Sequence, residues 1–107
     1  MSQRHEEAIE WADRIEGAMR AEGMWSGDPL PAEAYEFSEA FAQDTMAYSQ
    51  WLQFVFLPRV REIAAEGGSF PSSSMVGAQA VREFDGRHEL ADLVSELCAF
   101  DAWIEHR

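Results

Sequence analysis

Between Thr45 and Glu66 the chain carries Trp-Leu-Gln-Phe-Val-Phe-Leu at 51–57, nearly continuous apolar sequence. A buried strand and a buried helix compete for such a run. Length decides between them: apolar residues continue at helical spacing through Ile63 and Ala64, too far for an ordinary strand. Thr45 is a suitable N-cap and Gly67-Gly68 a suitable stop, so a helix is predicted over 45–66. A helix apolar on nearly all sides is one that neighbours cover, which places it at the centre of the fold. Pro58, in its interior, has no N–H for the Phe54 carbonyl and crowds that turn. A kink or local widening is therefore expected near 54–58.

The flanking segments are more ordinary. Residues 3–22 place Ala8, Trp11, Ala12, Ile15, Ala18 and Met19 on one helical stripe, ended by Gly23. Residues 23–37, with Gly27, Pro29 and Pro31, read as a loop. Ser38 is expected to cap a short helical turn over 38–43 with Ala40 and Phe41 pointing inward. A short helix over 74–84 is predicted, capped by Ser73 or Ser74 and weakened by Gly77. After the Asp85-Gly86 turn, residues 87–105 carry a stripe of Leu90, Leu93, Val94, Leu97, Phe100 and Ile104. Helices with short connections predict an all-α fold, a compact four-helix bundle over 1–107 as a single domain.

Charge narrows the function classes. Twenty acids face eight bases, a formal net charge of -12, and every base is arginine. Phosphate backbones demand clustered positive charge, and the chain has no basic run, so direct binding to nucleic acid or to an anionic membrane is not expected. The acidity suits a basic protein partner, or simply a solvated surface. No run approaches the ~20 apolar residues of a membrane helix, and the first residues have no apolar leader core. A cytoplasmic location is the default expectation.

Few residues suggest chemistry. A helical wheel over 45–66 puts Arg59 among Tyr48, Trp51, Leu52, Val55, Phe56 and Ile63. The same exercise puts Asp101 inside the last helix's stripe. A lone buried charge is costly, so the economical arrangement pairs Arg59 with Asp101; the alternative lets Arg59 snorkel to water beside the kink. Gln50 and Gln53 flank Trp51 and can either recognise a ligand or bond loop backbone between helices. Catalytic templates fail. His5, His88 and His106 are far apart and no Glu-x-x-His pair supports a di-iron bundle. No Cys/His cluster suits zinc, and no glycine-rich loop suits phosphate. Cys98 is expected as a small core residue. No cofactor, metal or catalytic residue is predicted. Trp25 and Trp103 mark an interface or cover the bundle ends.

Phe37-Ser38, Phe41, Asp44-Thr45-Met46 and, above all, Gln50-Trp51-Leu52-Gln53 followed by Pro58-Arg59 resemble the YqcC-like family of small bacterial helical proteins. The similarity extends to Phe70-Pro71 and Phe100-Asp101-Ala102. It departs at 75–81, where Gly77 and Gln79 replace the proline and acidic residues of the family pattern. The resemblance implies a helical bundle and an association, in name and gene context, with tRNA pseudouridine synthase C. Such synthases use a catalytic aspartate on a larger mixed α/β scaffold, so the implied role is an accessory one. The expected function is a protein-interaction module, possible homo-oligomerisation included. The alternative is a small-ligand-binding bundle with a pocket near Trp51, Gln53 and Pro58. Candidate binding or structural residues are Asp44, Gln50, Trp51, Gln53, Arg59 and Asp101.

Overall fold

A computed structural model describes residues 2–106. It has four principal helices: α1 (Gln3–Ala21), α2 (48–66), α3 (Val76–Glu83) and α4 (Ala91–Glu105). Short 3₁₀ turns lie at Ala32–Tyr35, Ala40–Ala42 and His88–Leu90. No strand occurs among the described residues, so the all-α expectation holds. No helix there is long and apolar enough to cross a membrane.

α1 buries Ala8, Ala12, Ile15 and Met19, one residue per turn on one face. Two of these are alanines, which lets neighbouring helices approach closely. The Ser2 hydroxyl caps its start by accepting from the His5 N–H. Gly23 closes the other end at φ 67°, with the Met24 N–H reaching back to the Met19 carbonyl.

α2 is one helix interrupted by a wider turn. An α-turn at Tyr48–Trp51 leads into a π-turn at Leu52–Phe56, and α-helix resumes over Leu57–Glu66. The Leu57 N–H bonds to the Leu52 carbonyl, five residues back. The widening expected near Pro58 is present, immediately before the proline. It gives the pyrrolidine ring room that a regular α-turn denies. It also changes the helix's phase. A π-turn holds one residue more than an α-turn, and each residue rotates an α-helix by about 100°. Beyond the bulge Leu57, Val60 and Ala64 face the core. Arg59, placed in the apolar stripe by an uninterrupted wheel, turns out to solvent.

The start of α2 also differs from expectation. Thr45 is not its cap: the Thr45 hydroxyl donates to the Ala34 carbonyl at 2.6 Å and ties down the preceding loop. The helix begins after Ala47, whose N–H is taken by Gln50 Oε1 at 2.8 Å.

The helices lie side by side in the order α2, α1, α4, α3: α1 packs on the Leu57–Glu66 part of α2 and on α4, and α4 packs on α3. The centre therefore belongs to α1 and α4, not to α2 as its composition suggested. α2 contributes Leu52, Phe56, Leu57, Val60 and Ala64 to the main core from one side. A smaller cluster of Ala34, Ala42 and Met46 sits under the long loop, with Trp51 packed against both clusters.

The turn over 40–42 is not the inward-facing helical turn predicted. Phe41 and Ala42 both adopt left-handed backbone, at φ 58° and 53°. Each such residue costs on the order of 1–2 kcal/mol. Packing holds them there: Ala42 is fully buried, and the Phe41 ring packs edge-on against Tyr48 and Trp51. Ala40, expected inside, is exposed.

Candidate functional site

The polar residues of the 44–59 stretch and Asp101 do not converge on one site. Gln53, though buried, uses both ends of its amide on one loop residue: Oε1 accepts from the Ser26 N–H at 2.9 Å, and Nε2 donates to the Ser26 carbonyl at 2.7 Å. It imitates a paired backbone strand and pins the 23–31 loop to α2. Gln50 is the α2 cap described above. Of the alternatives open for the two amides, the structure takes backbone bonding for both.

Asp44 is exposed and closes the 38–44 loop, accepting from the N–H groups of Ser38 and Glu39 and from the Ser38 hydroxyl. The Ser38 backbone bond is the chief reason its carboxyl is held below the usual carboxylate range, since those donors favour the charged form. Ser38 is thus held by Asp44 and does not cap a helix.

The proposed Arg59–Asp101 pair is absent. Asp101 caps α3 from a different helix. Its Oδ1 accepts from the Ser74 hydroxyl at 2.6 Å and the Val76 N–H at 3.0 Å; its Oδ2 accepts from the N–H groups of Gly77 and Ala78 at 2.8 and 3.3 Å. The first N–H groups of a helix have no partner within it and carry partial positive charge. They satisfy this carboxylate without a guanidinium. Ser73 and Ser74 accordingly do not cap α3; Ser74 donates to the residue that does.

Gly77, which looked like a weakness in α3, is a contact. A Cβ built on it would lie 2.4 Å from the Cys98 Cα and 2.6 Å from the Cys98 nitrogen. Only glycine lets α3 come this close to α4. Cys98 itself is exposed rather than in the core, and partial burial against α3, with Asp101 nearby, pushes its thiol above the usual range. That disfavours the reactive thiolate. Tyr48 locks the same corner by donating to the Val76 carbonyl at 2.6 Å. Burial first, then the negative charge of Asp101, pushes its phenol far above the ordinary tyrosine value.

Trp103 covers an end of the bundle. Its indole N–H donates to Glu7 at 2.8 Å, and the Arg4 guanidinium lies 4.1 Å from its ring centre. Trp25 packs on the core beneath Arg20.

One concavity stands beside these contacts. A groove of about 490 Å³ runs between α2, the 69–75 segment and the C-terminal half of α4. Trp51, Val55, Ile63, Phe70, Phe100 and Ile104 give it apolar walls, with Arg59 and the Ser69 and Ser73 hydroxyls at the edge. Trp51, Val55, Ile63 and Phe70 are only half-buried and line this space. The expected pocket near Trp51 therefore exists, but Gln53 and Pro58 are not in its wall. Pro58 borders a shallower hollow with Tyr35, Phe37 and Phe54 across Val55 and Arg59. No sequence signal located the Ser69–Met75 wall, because only the fold brings that loop to α2. Among the described residues no three His, Cys, Asp or Glu groups are placed to share a metal ion.

Fold and site together define a small acidic four-helix bundle with a bulged helix, a carboxylate cap between helices and an apolar groove. The chain belongs to the family described as DUF446, tRNA pseudouridine synthase C, whose model matches residues 8–103. An uncharacterized protein of Haemophilus influenzae is 30% identical over 92 residues, covering 83% of this chain and 84% of the relative. A tRNA pseudouridine synthase C of Pectobacterium carotovorum is 39% identical over 59 residues, which is 55% of this chain but only 16% of that protein. The solution NMR structure of protein YqcC from E. coli superposes with a TM-score of 0.87, covering 98% of this chain and 91% of that one at 21% identity. The YqcC-like resemblance is thus confirmed, and the shared fold extends along nearly the whole chain.

Proposed function

We propose that this chain is a protein-interaction module that acts as an accessory to a tRNA-modifying enzyme, a pseudouridine synthase. The observation that carries this is the partial match: a segment similar to this chain makes up 16% of a longer protein bearing the synthase name. In that protein the matched segment and the rest share one chain. Separate chains would need an interface to associate. The net charge of -12 supports attachment to a basic protein surface and argues against the RNA itself as the contact.

The test is calorimetry and co-elution of the purified chain with the synthase of the same organism, at low and at high salt. A saturable complex that weakens as salt rises is the expected result. No heat and no co-elution at either salt would refute it.

A second function, binding of a small ligand, is favoured by the groove itself. Its volume of about 490 Å³ lies in the roughly 300–1,000 Å³ range of small-molecule sites, and such sites form between bundle helices.

A further inference from the structure

The arginines of this acidic chain are mostly engaged. Arg14, Arg20, Arg61 and Arg87 form ion pairs with acids, and Arg4 donates to the carbonyls that end α4. Arg59 is different. Among the described residues it has no ion pair, hydrogen bond or ring contact, despite twenty acids in the sequence. The π-turn of α2 turns it out of the core, and it emerges at the edge of the apolar groove. The acid that might have neutralised it from α4, Asp101, is held by the N-terminus of α3. Glu62 borders the hollow on the other side of Arg59 and forms no ion pair with it.

We infer that the groove binds a small amphipathic carboxylate, with its apolar body between α2 and the 69–75 segment and its carboxylate on Arg59. This rests on the small-ligand function above and adds the ligand's chemistry. The apolar walls select against a highly hydrated molecule, since covering them rewards only apolar surface. The guanidinium matches a carboxylate with two parallel N–H donors. A neutral head group loses that charge-assisted bond, and a cationic one meets repulsion. The hydroxyls of Ser69 and Ser73 at the same edge are exposed and make no other hydrogen bond among the described residues, so they are available as further donors.

The experiment is amide NMR titration of the full chain with decanoate, decanol and decylammonium, each below its aggregation concentration. Decanoate is expected to shift the signals of Val55, Arg59, Ile63 and Phe70 saturably. Arg59→Gln should weaken it about five- to tenfold, while Arg82→Gln, a control at a separate hollow, should not. Arg59 is exposed and makes no ion pair or hydrogen bond among the described residues, so its variant should fold, which far-UV circular dichroism checks. If the three probes bind alike, or Arg59→Gln binds decanoate as the parent does, the carboxylate assignment falls and a small-ligand groove survives. If no probe shifts those signals, both fall. Shifts there with the synthase but with no probe would make the groove a protein-docking face and overturn the proposal.

Discussion

Replacing Asp101 with alanine is expected to destabilise the chain far more than loss of a half-exposed carboxylate normally does. The carboxylate accepts four hydrogen bonds: from the Ser74 hydroxyl and from the Val76, Gly77 and Ala78 N–H groups. Loss of an N-cap costs about 0.5–2 kcal/mol, and loss of a negative charge at a helix start adds roughly 0.3–1 kcal/mol. Val76 and Gly77 are buried, so their N–H groups cannot readily turn to water. Leaving such donors unmet costs about 1–3 kcal/mol. These contributions overlap, and a total of about 3 kcal/mol is expected, a large part of the ~5–15 kcal/mol typical of a domain. Asp101→Asn keeps one acceptor oxygen and should lose about half as much. Urea denaturation followed by tryptophan fluorescence measures both, with the midpoint falling and the slope unchanged. An Asp101→Ala midpoint equivalent to less than about 0.5 kcal/mol, the range of neutral surface changes, would refute the capping role.

Three further outcomes follow from the same geometry. Gly77→Ala should cost about 3 kcal/mol by forcing α3 off the Cys98 backbone, measured by thermal unfolding, with altered amide shifts confined to α3 and α4. Gln53→Ala should cost about 1–3 kcal/mol and accelerate amide exchange at Ser26, the residue whose N–H it leaves unpaired. Tyr48 has a phenol pushed up by burial, so the unfolded chain loses that proton near pH ~10 while the folded chain retains it. The stability it contributes is complete below that pH and declines as pH rises through and above it. Tyr48→Phe should remove this alkaline slope in urea titrations, at a constant cost of about 1 kcal/mol for the lost bond to Val76.

Periodicity made α1 and α4 legible because their buried faces are uninterrupted. The break at Pro58 was also legible, since a missing N–H and a ring clash are properties of the residue itself. The register beyond it was not. Pro58 requires some relief, but whether the chain kinks or takes in an extra residue is decided by which face then meets α1. That choice moved Arg59 from core to surface and dissolved its pairing with Asp101. Caps supplied from another helix, such as Asp101, leave no local sequence signal either. Ser73 and Ser74 looked like caps because they were the nearest candidates along the chain. Gly77 was undervalued for the same reason: its benefit lies in the space it leaves for α4, not in its own helix. The 50–59 motif was conspicuous, yet Gln50 and Gln53 maintain the fold, while Trp51, Val55, Phe56 and Arg59 line the groove.

The π-turn also gives α2 a place where a change in length can be absorbed. Removal of a single residue from 52–56 could restore a regular helix without touching any side chain beyond it. Because the π-turn holds one residue more than an α-turn, every later residue would keep its facing, with Leu57, Val60 and Ala64 inward and Arg59 outward. A relative one residue shorter between Gln50 and Arg59 is therefore expected to keep the same core faces and to lack the proline that needs the wider turn.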